Sequence, residues 1–300
     1  MSTDKIRYNR FQADKYGWTP EWFDCTDFNE DLISAITTYQ RQSGLTADGL
    51  CGPGTYRKRW TEIESSGDFV ESPSVEPGDK FIVHNGEQVE IFWDKVLLWT
   101  DPGGKKLNTY GSCAGKPDRK PITFVTHWDV TLSSSYCHKI LEKRGLSVHF
   151  GIDNDGTIHQ WIDTQHIGFH AGSKTINANS IGLEISNAYD LKWQSWYEQR
   201  GFGSRPIWSD VKVHGKKLDP FLGFYDVQLE ALAALWEACS FACDIPLNLP
   251  TNLTGVDNWV ASGTFPGFCQ HFNITTRKID CAGLDNEKIL SMAKALRLKR

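Results

Sequence analysis

The chain has 300 residues, of which 40% are hydrophobic and 23% charged, and a net charge of −5. This suits one large globular domain or two unequal ones. The acidic balance argues against nucleic acid as the main partner, because phosphate recognition needs a basic face. No apolar run reaches the 18 residues of a membrane span. The opening MSTDKIRYNRFQ has no apolar stretch of the kind that marks a secretion signal, so synthesis and accumulation in the cytoplasm are expected. The 12 Trp exceed what the core alone explains and hint at stacking on sugar rings. The eight cysteines (25, 51, 113, 137, 239, 243, 269 and 281) read as reduced thiols, since the chain is too long for a disulfide scaffold. Cys239 and Cys243 fit one face of a helix as small apolar groups.

In chain order, FNEDLISAITTYQRQSG places Leu32, Ile33, Ile36 and Tyr39 near helical spacing, with Asn29 as N-cap and Gly44 at the C-terminal end. Asp48-Gly49 and Gly52-Pro53-Gly54 make turns, and Thr55 is placed to cap a short final helix. Residues 16 to 61 thus read as a small helical module, and residues 62 to 78, rich in Ser, Glu, Pro and Gly, as a linker. Residues 79 to 120 suggest strands and loops, with Val96 to Trp99 the most apolar piece. ITFVTH (122 to 127) predicts a strand, residues 133 to 144 a helix ended by Gly145, and VHFGIDNDGTIHQWI a hairpin about Asn154-Asp155-Gly156. SIGLEIS is another strand, and residues 190 to 225 are an insertion without clear periodicity. Helices are predicted at 226 to 243, with Leu229, Leu232, Leu235, Trp236 and Cys239 on the apolar face, and at 285 to 298. Strands mixed with helices give an α/β layer fold.

Strand alternation sets His149 opposite its apolar neighbours Val148, Phe150 and Ile152. It likewise sets Glu184 opposite Ile181, Leu183 and Ile185, beside the small Gly182 and Ser186. A carboxylate in a central strand is costly unless it is paired or used. His127 ends its strand, and CQHFNITTRKIDC adds His271, Lys278 and Asp280. Zinc hydrolases need two or three nitrogen, sulfur or oxygen ligands and an open position. The H-E-x-x-H helix of metalloproteases is absent.

Two resemblances follow. YQRQSGLTADGLCGPGTYRKRW resembles the repeat of the peptidoglycan-binding domain, a three-helix wall-anchoring module, through Tyr39-Gln40, Gly44-Leu45, Asp48-Gly49, Gly52-Pro53 and Thr55. Residues 121 to 285 resemble the type-2 N-acetylmuramoyl-L-alanine amidase family, shared by bacteriophage lysins and peptidoglycan recognition proteins. The ordered pieces are FVTHWD, LSVHFGIDNDGTIHQW, GFHAGSKTINANSIGLEISN and HFNITTRKID.

The resemblance implies a mixed central β-sheet flanked by helices. It makes His127 and His271 zinc ligands and Asp280 the third, with Cys281, which stands where the family usually has proline, as the competing donor. Lys278 matches the lysine beside the substrate carbonyl, and Glu184 the glutamate of the Gly-Ile-Glu strand. Some members use a tyrosine just before the position of His149; Val148 stands there, so proton transfer falls to Glu184. His149, His170 and Asn177 match cleft positions and are expected substrate contacts. The expected organisation is a peptidoglycan-binding domain (1 to 61), a linker (62 to 78) and a zinc amidase domain (79 to 300). Together these imply a monomeric bacteriophage endolysin that hydrolyses the bond between N-acetylmuramic acid and L-alanine, with no membrane anchor, accumulating in the host cytoplasm before reaching the wall. The alternatives are a zinc-free recognition module, disfavoured by the intact ligand set, and a cytosolic recycling amidase, disfavoured by the N-terminal module.

Overall fold

The computed structural model describes residues 2–67, 80–113 and 119–300. The chain forms two compact units, one containing the segment up to residue 70 with residues 139–145, the other residues 71–138 and 146–300.

The N-terminal segment holds α1 (Ser2–Tyr16), a 3-10 turn at Pro20–Phe23, α2 (Glu30–Gln42) and α3 (Pro53–Ser65). They close around Trp18, Phe23, Leu32, Ile36, Cys51 and Tyr56. Asn29 caps α2, its Oδ1 accepting from the Leu32 N–H at 3.1 Å. Gly44 follows the helix end in the left-handed region, φ 65°. The expected cap at Thr55 is wrong: Gly52 is the N-cap, Pro53 sits in the first turn, and Thr55 is buried inside α3. That helix has 13 residues and runs through Ser65, so it is not short and it enters the stretch read as linker. Residues 68–78 of that stretch lie outside the described residues.

Gln40 explains the spacing of the N-terminal motif. Its buried amide donates to Asp48 Oδ1 (2.8 Å), Leu50 O (3.0 Å) and Thr55 Oγ1 (3.0 Å), while its Oε1 accepts from the Gly49 N–H (2.8 Å). The motif's Gln, Asp-Gly and Thr are therefore one hydrogen-bonded hub that fixes the turn between α2 and α3.

Next come a hairpin of β1 (Phe81–His84) and β2 (Glu87–Glu90), then β3 (Val96–Leu98), β4 (Thr123–Trp128), α4 (Ser134–Arg144), β5 (Phe150–Ile152), β6 (Ile158–Gln160), α5 (Lys174–Asn179) and β7 (Ser180–Ile185). After β7 follow α6 (Gln194–Gln199), β8 (Ile207–Trp208), β9 (Lys212–Val213), β10 (Lys216–Lys217), β11 (Phe221–Leu222), α7 (Asp226–Cys243), α8 (Asn258–Ala261), β12 (Gly267–Gln270) and α9 (Asn286–Arg297). The central sheet has the order β12-β4-β7-β5-β6-β3, parallel except for the β5–β6 pair.

Phe124, Phe150, Ile152, Leu183, Ile185 and Phe268 share a core with Leu232, Leu235 and Trp236 of α7. The alternate positions of the same strands carry His127 and Glu184 to the opposite face. Residues 190–225 form α6 and two short ribbons, β8–β11 and β9–β10. The buried Arg205 anchors them, donating to Gly223 O (2.9 Å), Ser186 O (2.9 Å) and Gln228 Oε1 (3.2 Å), and to Asn154 Oδ1. Its guanidinium also lies over the rings of Tyr197 (4.2 Å) and Tyr225 (4.4 Å). Among the described residues, no helix is long and apolar enough to cross a membrane.

Candidate metal centre

Three strands and one loop build the centre. His127 lies near the C-terminal end of β4, and the parallel register sets it directly beside Glu184 of β7, so the two side chains share a face. Gly151 of β5 flanks Glu184 on the other side. β12 runs alongside β4, and His271 follows immediately after it. The chain then turns through Lys278 to Asp280.

His127 Nδ1, His271 Nδ1 and Asp280 Oδ2 converge in a buried triangle with sides of 2.8, 3.1 and 3.0 Å. The surrounding hydrogen bonds fix the tautomers. The Ser180 hydroxyl donates to Ile176 O (2.6 Å), so its oxygen accepts from His170 Nε2–H (3.2 Å). That leaves His170 Nδ1 to accept from His127 Nε2–H (3.0 Å). His127 Nδ1 is then a bare lone pair pointing at the triangle. It faces the Asp280 carboxylate, and the one proton that His271 Nδ1 can carry does not satisfy three contacts. A cation does. Three ligands at about 2.0–2.1 Å from a tetrahedral metal stand about 3.3 Å from one another, within about half an ångström of the sides observed.

The electrostatics agree with this arrangement. Burial, with the neighbouring His271, pushes His127 down to about 4, and burial beside His127 and His149 holds His170 well below the usual histidine range, so both rings are neutral. Burial opposes ionisation of Asp280, but the adjacent His271 and His127 outweigh it and hold the carboxyl well below its ordinary range. Cys281 is also fully buried, but it packs in the apolar core and is not part of the triangle. Burial pushes its thiol well up, which disfavours the thiolate that a metal needs. Glu184 is half-buried beside His127, and Lys278 is half-buried on the loop two residues before Asp280.

The family described as N-acetylmuramoyl-L-alanine amidase matches residues 117–280. The chain belongs to that family. Solved structures similar to this chain include the N-acetylmuramoyl-L-alanine amidase LysC from Clostridium intestinale URNW, at 14% identity over 67% of this chain and 97% of that one, with a TM-score of 0.38. A selenomethionine derivative of AmpD shares 17% identity over 68% of this chain and 96% of its own, with a TM-score of 0.37. A mutant endolysin from Bacillus subtilis shares 13% over 68% and 97%, with a TM-score of 0.35. No curated protein matches.

The structure places the three expected substrate-contact residues differently from one another. His149 is buried, with Nδ1 accepting from the Gly182 N–H (3.0 Å) and Nε2–H donating to His166 O (2.9 Å), so backbone groups take both nitrogens. Asn177 Oδ1 accepts from the N–H groups of Ala171 (2.8 Å) and His170 (3.3 Å) and shapes the loop that carries His170. His170 faces the centre through His127 and serves to orient it. In this arrangement the His149 nitrogens and the Asn177 Oδ1 are taken up by hydrogen bonds to the protein's own backbone.

Sequence reasoning missed two features. One is the Ser180–His170–His127 relay, which depends on a register that strand patterns do not reveal. The other is His214 in the insertion, whose Nε2–H donates to the Lys278 carbonyl at 2.8 Å. Its trace in the sequence is the glycine that follows it, Gly215, which marks a turn.

Proposed function

We propose that the chain is a zinc-dependent N-acetylmuramoyl-L-alanine amidase that cleaves the lactyl amide between N-acetylmuramic acid and L-alanine in peptidoglycan. The observation that carries this reading is the triangle of His127, His271 and Asp280, with the hydrogen-bond relay that leaves His127 Nδ1 unprotonated. These three residues would hold the ion, and zinc bound there supplies a lowered water pKa, toward ~7, and polarisation of the substrate carbonyl.

The protein's own groups do the rest. Glu184, on the adjacent strand, accepts a proton from the attacking water as the oxygen–carbon bond forms. Lys278 donates to the oxyanion that develops on the carbonyl. When the carbon–nitrogen bond breaks, Glu184 returns the proton to the departing alanine amine. His170 holds the His127 ring in place throughout.

The N-terminal helices, with the motif hub at Gln40, fit a wall-binding module, residues 79–300 a catalytic domain, and the pair an endolysin of bacteriophage type that accumulates in the host cytoplasm and acts as a monomer. The test is mass analysis of sacculi digested by the purified protein. Free stem peptides beginning with L-alanine are expected, lost on zinc removal and restored by zinc. Cleaved glycan strands with intact stem peptides, or full activity in excess EDTA, would overturn the reading.

A further inference from the structure

The inserted hairpin β9–β10 turns through His214 and Gly215, with φ of 53° and 74°. Two consecutive left-handed residues make a type I′ turn, where asparagine usually precedes glycine because its side chain tolerates that backbone. Histidine there is a costlier choice, and its side chain is employed. Nε2–H donates to the Lys278 carbonyl at 2.8 Å, and the ring meets Phe272, the neighbour of His271, edge-on at 6.3 Å. The His214 N–H donates to Thr254 O at 2.8 Å, and the preceding Val213 is buried in the main core. The hairpin tip is therefore held from three directions. Its imidazole reaches the loop that joins His271 to Asp280, where the Lys278 N–H also closes a turn onto Thr275 O at 3.2 Å.

We propose that His214 is a positioning residue for Lys278. By fixing the Lys278 carbonyl, it sets the backbone from which the lysine reaches the substrate's oxyanion, and so gives the 190–225 insertion a part in the reaction. The inference rests on the role given to Lys278 above.

The test compares His214→Asn with His214→Gln in the full-length zinc enzyme. Asparagine keeps the turn, but its amide ends about one bond too short. Glutamine returns an N–H donor at about the reach of the imidazole Nε2. His214→Asn is expected to lower kcat on a soluble muropeptide about tenfold to a hundredfold, the scale of a small misplacement of a reacting group, with KM and zinc content unchanged. Its amide hydrogen exchange across residues 274–280 is expected to quicken. His214→Gln is expected to recover most of kcat and the slow exchange. Lys278→Ala, run in parallel, separates the two readings. If Lys278→Ala keeps full activity, the lysine's role fails and this inference with it. If Lys278→Ala is inactive but His214→Asn retains wild-type kcat, or loses zinc in proportion to activity, the positioning role alone is overturned.

Discussion

At the ends of β4 and β5, two buried groups respond to pH in opposite directions. Burial pushes His149 from 6.5 down to about 3, so across that window the unfolded chain binds a proton that the folded chain refuses. Stability from this residue is complete above 6.5 and falls as pH drops toward 3, by at most about 1.4 kcal/mol per pH unit. Asp129 acts the other way. Burial raises its carboxyl from 3.8 to about 7, so the folded state keeps a proton that the unfolded chain has lost, and stability falls as pH rises through that range. The whole curve mixes both effects, and the informative quantity is the difference between wild type and His149→Gln, since glutamine can keep both backbone hydrogen bonds without titrating. Urea unfolding at pH 7, 6, 5 and 4 should show wild type losing stability relative to His149→Gln at each step below 6.5, and parallel curves would contradict a neutral buried His149. The residue with the largest effect on catalysis should be Glu184. Glu184→Gln is expected to keep zinc and lose about 10²- to 10⁴-fold in kcat, the usual worth of a general base. Metal analysis and turnover on one preparation check both halves.

At the scale of elements, legibility followed how completely a side-chain pattern was expressed locally. β7 was readable because Ile181, Leu183 and Ile185 alternate with small residues and a single carboxylate, and α7 because its apolar face spans 18 residues. α1 was not, because STDKIRYNRFQADKY is mostly polar and buries only Asn9, Gln12, Ala13 and Tyr16. Asn9 earns its burial through a long-range pair that no local pattern encodes, donating to Gly49 O (3.0 Å) and accepting from the Cys51 N–H (2.9 Å). The ribbons of 190–225 have strands of two residues, below any periodicity. Strand register also stayed hidden, and with it the packing of His170 on β7. A Cβ on Gly182 would come within 2.7–2.9 Å of three His170 ring atoms, so only glycine lets that ring reach His127. Gly182→Ala should displace His170, loosen the His127 orientation and weaken zinc binding about 10- to 100-fold, as for other lost partners of metal-bound histidines. Competition with a chelator of known affinity measures this, and an unchanged zinc affinity would exclude the relay.

Across the whole molecule, the N-terminal apolar core and the main one are separate in sequence: one is drawn from Ala13 to Tyr56, the other from Ile82 to Ala293. Separate cores permit separate unfolding, and the hub at Gln40 offers a way to disturb one alone. Gln40→Leu takes a partner from the buried Gly49 N–H and from the buried Thr55 at once, and leaving buried polar groups short of a partner costs about 1–3 kcal/mol. Calorimetry of the full chain should show the N-terminal transition move down while the catalytic one stays in place. If the N-terminal helices deliver the enzyme to the wall, warming Gln40→Leu between its two transitions should abolish sedimentation with sacculi and leave hydrolysis of a soluble muropeptide at the wild-type rate. Loss of both activities together would mean that the two units fold as one. Retention of sacculus binding would mean that the catalytic unit supplies the wall contacts, with the many tryptophans outside the N-terminal helices then the first residues to substitute.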